Sequence, residues 1–171
     1  VLDWAKVHGY REGENPARWK GNLDMILPAP NKTKKVKHHK ALPYSQVGSF
    51  MVDLRNRSGI AAKALEFTIL TATRSGEVRG ATWQEIDLSK AEWTIPSERM
   101  KAGKEHRIPL SSQVIELLKG IPVGEANDII FKAPRGGMLS DMSLGAVLKR
   151  MKIQVTTHGF RSTFRDWAGE T

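Results

Sequence analysis

Residues 85–110, "EIDLSKAEWTIPSERMKAGKEHRIPL", differ in pattern from the sequence on either side of them. Apolar and polar residues alternate there in two short runs, which is typical of half-buried β-strands. In the first run Trp93 and Ile95 fall on one face, and the run doubles back at a Ser-Lys turn. In the second run Ile108 and Leu110 fall on one face, after a turn that contains a glycine. The stretch therefore predicts a small antiparallel sheet of three strands.

Helical spacing predominates outside this stretch. Residues 59–73, "GIAAKALEFTILTAT", form the most apolar helical pattern and are predicted to be the buried centre of the fold. Amphipathic helices are predicted for residues 44–57 before it, and for residues 111–120 and 140–151 after the sheet. The predicted fold class is α+β, mainly α-helical with a small three-stranded antiparallel sheet.

The chain also divides into segments of different composition. Residues 1–28 carry further helical patterns, of which the second begins with Asn15 as a cap and Pro16 in the first turn. Residues 29–43 combine prolines with five lysines and two histidines and have almost nothing to bury. Such a composition is typical of an interdomain linker, either a solvated connector or a strap that lies along a phosphate backbone. A compact domain is predicted for residues 44–171.

The charge of the whole chain indicates an anionic partner. Lysine and arginine number 27 against 18 acidic residues, and the net charge of +9 suits an anionic partner, most often nucleic acid. A soluble protein that is merely basic is the alternative interpretation. The absence of cysteine excludes disulfides, thiolate metal sites and cysteine nucleophiles, and it is consistent with a reducing cytosol. No apolar run is long enough to span a membrane. We therefore expect a cytoplasmic protein.

Arg74 is the first candidate for chemistry, because it directly follows the most apolar helical pattern. A guanidinium is costly to bury there unless it is paired or contacts an anion. Glu77 lies three residues later and could hold the guanidinium in one orientation, while Ser75 could cap the next helix. The residues alone support two interpretations, a structural ion pair at a helix junction or part of an anion site.

Two further basic clusters follow along the chain. Lys101 and Lys104 flank the Ala-Gly pair of the second turn, where a lysine could reach a DNA groove or donate a proton to a leaving oxygen. His158 and Arg161 are one helical turn apart, so both could reach one phosphate at a helix N-terminus. A solvated turn and a histidine beside a cap are the alternative interpretations. Spacing alone does not separate the two lysines.

The last helix is predicted to begin at Thr156 or Thr157, since either side chain can cap it. Phe160, Phe164 and Trp167 then recur at helical spacing and are predicted to face the core.

An arginine, a hairpin lysine and then H-x-x-R, in this order in a basic mixed chain, resemble the catalytic domain of tyrosine recombinases. The resemblance is closest to the integrases of temperate phages and genomic islands. The matching stretches are "ALPYSQV" (41–47), "LTATRSGEVRGATWQEIDL" (70–88), "EWTIPSERMKAGKEHRIPLS" (92–111) and "THGFRSTFRDWAGE" (157–170). Residues 1–28 resemble the C-terminal end of the core-binding domain that precedes the catalytic domain in this family.

The resemblance implies that Arg74 and Arg161 clamp the two non-bridging oxygens of a scissile DNA phosphate. It implies that Glu77 supports the first arginine and that His158 assists proton transfer or positions the phosphate. In this family a tyrosine forms a 3′-phosphotyrosine link that keeps the energy of the broken bond. No metal and no nucleotide cofactor are therefore implied.

The resemblance also distinguishes the two lysines. Lys101 matches the family's hairpin lysine better than Lys104, and the implied role is general acid for the leaving 5′ oxygen.

The sequence has no match for two of the family's residues downstream of H-x-x-R. These are the nucleophilic tyrosine and the second histidine or tryptophan. Tyr10 and Tyr44 are the only tyrosines and are interpreted as packing or surface residues. We therefore expect a truncated catalytic domain that binds DNA phosphate without cleaving it.

The implied partner is double-stranded DNA at attachment sites, bound by a homotetramer of the full-length protein. Further DNA-binding candidates lie in the linker, the second turn and the last helix: Lys32, Lys34, Lys35, Lys37, Lys40, Lys104 and Arg165. A non-catalytic DNA-binding module and a type IB topoisomerase-like protein are the alternatives, and the "ENPARW" and "HGFR" surroundings favour an integrase. A metal-dependent nuclease is disfavoured, because His38 and His39 have no carboxylate cluster at ligand spacing.

Overall fold

A computed structural model of the chain describes residues 1–28 and 39–170. The chain forms two compact units, Val1–His38 and His39–Thr171. Within the described residues, no helix combines the length and the apolar character that crossing a membrane requires.

The described part of the first unit contains short helices without buried residues. Helix α1 spans Leu2–Val7, a helical turn spans Trp19–Leu23, and α2 spans Asp24–Ile26. The continuous helix that the sequence predicts from Asn15 does not form. Its break lies at Lys20 and Gly21, and Gly21 has a φ of +77° that glycine adopts at little cost.

The second unit contains six helices and three strands among its described residues. They are α3 (Val47–Arg55), α4 (Ile60–Thr71), α5 (Ser75–Arg79), β1 (Ile86–Asp87), β2 (Glu92–Ile95), β3 (His106–Pro109), α6 (Ser112–Lys119), α7 (Ser143–Arg150) and α8 (Gly159–Glu170). Short 3₁₀ turns precede α3 and β1, and a third lies in the loop between β2 and β3. The mainly helical α+β class is thereby confirmed.

The three strands form one antiparallel sheet in the order β1-β2-β3, as the alternating stretch predicts. Trp93 of β2 lies opposite Ile108 of β3, so the two predicted apolar faces meet in the core. The connection from β2 to β3 is longer than a tight hairpin. It contains a 3₁₀ turn at Ser97–Arg99 and then a turn in which Gly103 has a φ of +62°.

Helix α4 is the buried centre of this unit. Leu65 and Phe67 are fully enclosed, and the Phe67 ring meets the edges of Trp93 and Phe131 at centroid distances of 5.1 and 5.2 Å. The core continues into the neighbouring helices through Phe50, Leu54, Val78, Val114, Leu118, Leu144, Leu148 and Phe160. The prediction for residues 59–73 is thus confirmed.

The second unit begins before Tyr44, within the stretch assigned to the linker. Leu42 is buried, and its carbonyl accepts a hydrogen bond from the Thr163 hydroxyl at 2.6 Å. The carbonyl of Lys40 accepts the N–H of Thr156 at 3.0 Å. These bonds hold residues 40–42 against the start of α8.

The predicted inward face of α8 is only partly buried. Phe160 is enclosed at 4% exposure, whereas Phe164 and Trp167 are 48% and 46% exposed. The prediction that both of these residues lie in the core is therefore wrong, because their rings line a groove that is open to solvent. We call it the apolar groove; its lining residues are Tyr44, Val47, Ile69, Phe160, Thr163, Phe164 and Trp167.

Candidate active site

The junction between α4 and α5 fixes the first arginine. Helix α4 ends at Thr71, its C-cap Ala72 has a left-handed φ of +51°, and Arg74 precedes α5. The buried Glu77 accepts the Arg74 backbone N–H at 2.8 Å and pairs with its guanidinium at 2.7 Å. The Arg74 side chain remains 47% exposed. Glu77 therefore orients this guanidinium while leaving part of it open to a ligand.

The second arginine reaches the same junction from α8. Arg161 donates from Nη1 to the carbonyl of Ala72 at 2.6 Å. A left-handed backbone at a residue other than glycine is uncommon and is often found at functional sites. The carbonyl of Ala72 thus ties Arg161 to the segment that carries Arg74.

The four residues for which the sequence suggests direct phosphate chemistry line one concave surface, which we call the basic pocket. It has a volume of about 350 Å³. Its lining residues are Thr73, Arg74, Ser75, Gly76, Glu77, Arg99, Lys101, Thr157, His158 and Arg161. Met100, Ala102 and His106 line an adjoining cleft beside the same arginines. Arg74, Lys101, His158 and Arg161 thus meet although they come from three separate stretches of the chain.

His158 lies immediately before α8. The Thr156 hydroxyl accepts the N–H of Gly159 at 3.0 Å, so Thr156 rather than Thr157 caps this end of the helix. His158 is exposed, but its partial burial lowers its pKa, and the nearby His39, Arg161 and Arg74 lower it further. The imidazole therefore stays neutral to a lower pH than an isolated histidine.

The structure distinguishes Lys101 from Lys104, which their spacing in the sequence could not do. Lys101 is exposed in the turn after Ser97–Arg99 and lines both the basic pocket and the adjoining cleft. Lys104 is exposed and is not among the residues that line either cavity.

Arg99 is a pocket residue that the sequence analysis missed. It donates to the Glu77 carbonyl at 2.5 Å and forms an ion pair with the buried Glu85. Trp93 donates its indole N–H to the same Glu85 carboxylate at 3.0 Å. Arg99 therefore supports the backbone behind Arg74 from the sheet side. Its position two residues before Lys101 was the available signal.

The remaining candidates for DNA binding that the structure describes do not line the pocket. Lys40 is exposed beside the start of α8, and Arg165 on α8 pairs with Asp166 at 3.0 Å. The other linker candidates lie outside the described residues: Lys32, Lys34, Lys35 and Lys37. In residues 1–28 and 39–170, no group of three histidines or carboxylates is arranged to hold a metal ion.

The chemistry of the basic pocket follows from these contacts. Two guanidinium groups are fixed by Glu77 and by the Ala72 carbonyl, and a lysine and an imidazole with a lowered pKa lie beside them. Among the residues that the structure describes, Glu77 is the only carboxylate that lines the pocket, and it already pairs with Arg74. Such an arrangement suits a tetrahedral oxyanion with several oxygens to be bound at once.

Comparison with known proteins identifies relatives of this chain. The phage integrase family matches residues 40–167. The integrase of Enterobacteria phage P4 is 31% identical over 160 residues, covering 81% of this chain and 36% of the relative. The prophage integrase IntZ of Escherichia coli K12 is 33% identical over 149 residues, covering 84% and 36%. The chain thus spans about a third of the length of these relatives.

Solved structures share the fold at low sequence identity. The Tn1549 transposon integrase in complex with a circular intermediate DNA superposes with a TM-score of 0.70 at 14% identity, covering 95% of this chain and 61% of that one. XerA recombinase superposes with a TM-score of 0.59 at 17% identity, covering 83% and 54%. Since the family match covers most of the chain, the protein belongs to the phage integrase family.

Proposed function

We propose that the chain is the catalytic part of a site-specific recombinase that cuts and rejoins DNA through a 3′-phosphotyrosine intermediate. The observation that carries this proposal is the convergence of Arg74, Lys101, His158 and Arg161 on one pocket. Membership of the phage integrase family supports it. Residues 1–28 would then be the end of the core-binding domain, and residues 29–43 would include the basic connection to the catalytic domain.

In this function Arg74 and Arg161 bind the two non-bridging oxygens of the scissile phosphate. Negative charge grows on these oxygens as the nucleophile attacks, so cations that are already in place lower the barrier. The support for this role is that both guanidinium groups are held from behind, by Glu77 and by the Ala72 carbonyl. Little reorganisation is then needed when phosphate binds.

Proton transfer falls to Lys101 and His158. As the tyrosine oxygen bonds to phosphorus, the bond from phosphorus to the 5′ oxygen breaks, and that oxygen takes up a proton. Lys101 is the proton donor, because its turn brings an exposed ammonium to the pocket. His158 accepts the tyrosine proton or positions the phosphate, a role that suits an imidazole with a lowered pKa.

Tyr44, the tyrosine of the second unit, does not line the basic pocket. Tyr44 lines the apolar groove, and its hydroxyl donates to the Glu170 carboxylate at 2.7 Å, which raises the pKa of the phenol. Tyr10 lies before the part of the chain that matches the integrase family, residues 40–167. We therefore propose that the 171 residues bind DNA phosphate without cleaving it, and that the nucleophile is a tyrosine outside them.

The proposed partner is double-stranded DNA at attachment sites, and the proposed assembly is a homotetramer on paired sites in the cytoplasm. The net charge of +9 supports a polyanionic partner. The Tn1549 integrase, which shares the fold, was solved in complex with transposon right-end DNA as well as with a circular intermediate. A non-catalytic DNA-binding module is the second candidate, favoured by the position of Tyr44 away from the basic pocket.

The test uses the protein encoded by the complete reading frame that contains this chain. It is incubated with nicked duplexes that carry the junction sequence of the element encoding it. We expect a covalent adduct that joins the protein to a 3′ phosphate, and its loss when a single tyrosine is replaced by phenylalanine. DNA binding by this protein without an adduct would contradict the recombinase and support the binding module.

A further inference from the structure

His39 is in ring contact with His158, although the two residues are far apart in the sequence. The ring centroids are 4.7 Å apart, and the planes are tilted by 57°. His39 does not line the basic pocket or the adjoining cleft, whereas His158 lines the basic pocket. The His39 ring therefore packs against His158 without itself reaching the place where a ligand would bind.

The backbone next to His39 is anchored tightly to the start of α8. The carbonyl of Lys40 accepts the N–H of Thr156, and the carbonyl of Leu42 accepts the hydroxyl of Thr163. Between these two bonds, Gly159 lies so close that an added Cβ would be 2.1 Å from the Lys40 carbonyl oxygen. The backbone beside His39 is thus held by Thr156, which precedes His158 in the sequence, and by Gly159 and Thr163, which follow it.

We propose that His39 is a positioning residue that holds the imidazole of His158 toward the basic pocket. This inference rests on the proposed function, in which the pocket binds a DNA phosphate. His39 acts only through His158, because it makes no contact of its own with the pocket. A purely structural role explains less, since His39 is exposed and residues 40–42 are already held by the Leu42 side chain and carbonyl.

The charges around His158 give the contact a measurable consequence. His39, Arg161 of α8 and Arg74 at the α4–α5 junction each lower the pKa of His158 through their charge. Burial is the larger influence, and the His39 ring provides part of that burial. Replacing the His39 ring therefore makes His158 easier to protonate.

The experiment compares two replacements of His39 in the 171-residue chain. His39→Phe keeps an aromatic ring against His158 but cannot take up a proton, and His39→Ala removes the ring. His8→Ala is the control, because His8 belongs to the other unit and stacks on Trp4. Histidine ring NMR signals give the pKa of His158, and titration with inorganic phosphate at pH 8 gives the affinity of the basic pocket.

We expect the His158 pKa to rise in both variants and to remain unchanged in His8→Ala. Phosphate affinity should fall about 3- to 10-fold in His39→Ala, the size of one lost hydrogen bond, and should recover in His39→Phe. An unchanged His158 pKa and affinity in His39→Ala would overturn the proposal. An equal loss of affinity in both variants would also overturn it, because the ring contact would then not be what matters.

Failure of the proposed function would look different. Phosphate affinity would then be insensitive to Arg74→Ala and Arg161→Ala in the parent chain. The rise in the His158 pKa on removing the His39 ring would still report the positioning contact. The two results are therefore separable in one set of titrations.

Discussion

The two sides of α8 support two different cavities, and the contrast between them is informative. On one side Arg161 and the adjacent His158 line the basic pocket, where charged groups are held by contacts from behind. On the other side Phe164 and Trp167 line the apolar groove and are about half exposed. Preorganised cations distinguish a binding site from a surface that is merely concave. Burial of Phe160 stabilises α8, whereas His158 and Arg161 at its start contribute to the candidate site.

The largest expected effect concerns two phenylalanines one turn apart on α8. Phe160 is enclosed and packs on Phe50 with ring centroids 5.2 Å apart, whereas Phe164 is half exposed beside Trp167. Phe160→Ala should lower the free energy of unfolding by about 3–5 kcal/mol. Phe164→Ala should lower it by only about 0.5–1.5 kcal/mol. Chemical denaturation of both variants measures this difference, and equal losses would show that the groove is part of the core.

The next effect would sharpen the other side of the comparison. Arg161→Ala should lower the rate of DNA cleavage by about 10²–10³ in the complete protein, because one fixed cation on the phosphate is lost. Arg135→Ala is the matched control, since Arg135 is exposed and does not line the basic pocket. Single-turnover cleavage of a nicked substrate provides the measurement. Similar rates for the two variants would remove Arg161 from the site.

An intermediate effect tests the anchoring that both sides of α8 share. Gly159→Ala places a Cβ 2.1 Å from the Lys40 carbonyl oxygen, so residues 40–42 and the start of α8 must separate. We expect a loss of about 1–3 kcal/mol of stability. Gly145→Ala in α7 is the control, because no atom lies within 4 Å of its added Cβ and its φ is not positive. A thermal unfolding curve for Gly159→Ala that matches this control would contradict the close approach.

The smallest effect is the pH dependence of the pocket. The pKa of His158 is lowered, so the folded chain binds its proton less readily than the unfolded chain does. The stabilising contribution of the neutral imidazole is present above the ordinary histidine pKa of about 6.5, and it is lost as the pH falls toward the folded value. Bound sulfate should oppose this loss, because an anion favours the protonated ring.

Thermal unfolding between pH 8 and pH 5, with and without sulfate, measures this effect. His158→Gln should remove the part of the pH dependence that this ring contributes. An identical profile in His158→Gln would show that the ring does not titrate differently on folding.

Local spacing was sufficient for some of these features. Arg74 and Glu77 are three residues apart at the start of α5, and local helical geometry brings them together. The alternation around Trp93 predicted the sheet for a similar reason. Each of these features depends on residues that are close in the sequence, so a sequence pattern is enough to predict it.

Features that depend on distant contacts could not be predicted in the same way. The bond from Arg161 to the Ala72 carbonyl joins residues 89 positions apart. Periodicity placed Phe164 on an apolar face, but burial depends on which other element covers that face. Arg99 was missed because its partner Glu85 is brought to it by the fold of the sheet and its loops. Such features require the tertiary structure.

The most direct test of the central claim is a crystal structure of the 171-residue chain grown with tungstate, a tetrahedral oxyanion located by its heavy atom. The claim is that Arg74, Lys101, His158 and Arg161 form one phosphate site. We predict an ion in the basic pocket with both guanidinium groups at about 2.7–3.0 Å from its oxygens. An empty basic pocket in a crystal that binds tungstate at other basic surfaces would contradict the account.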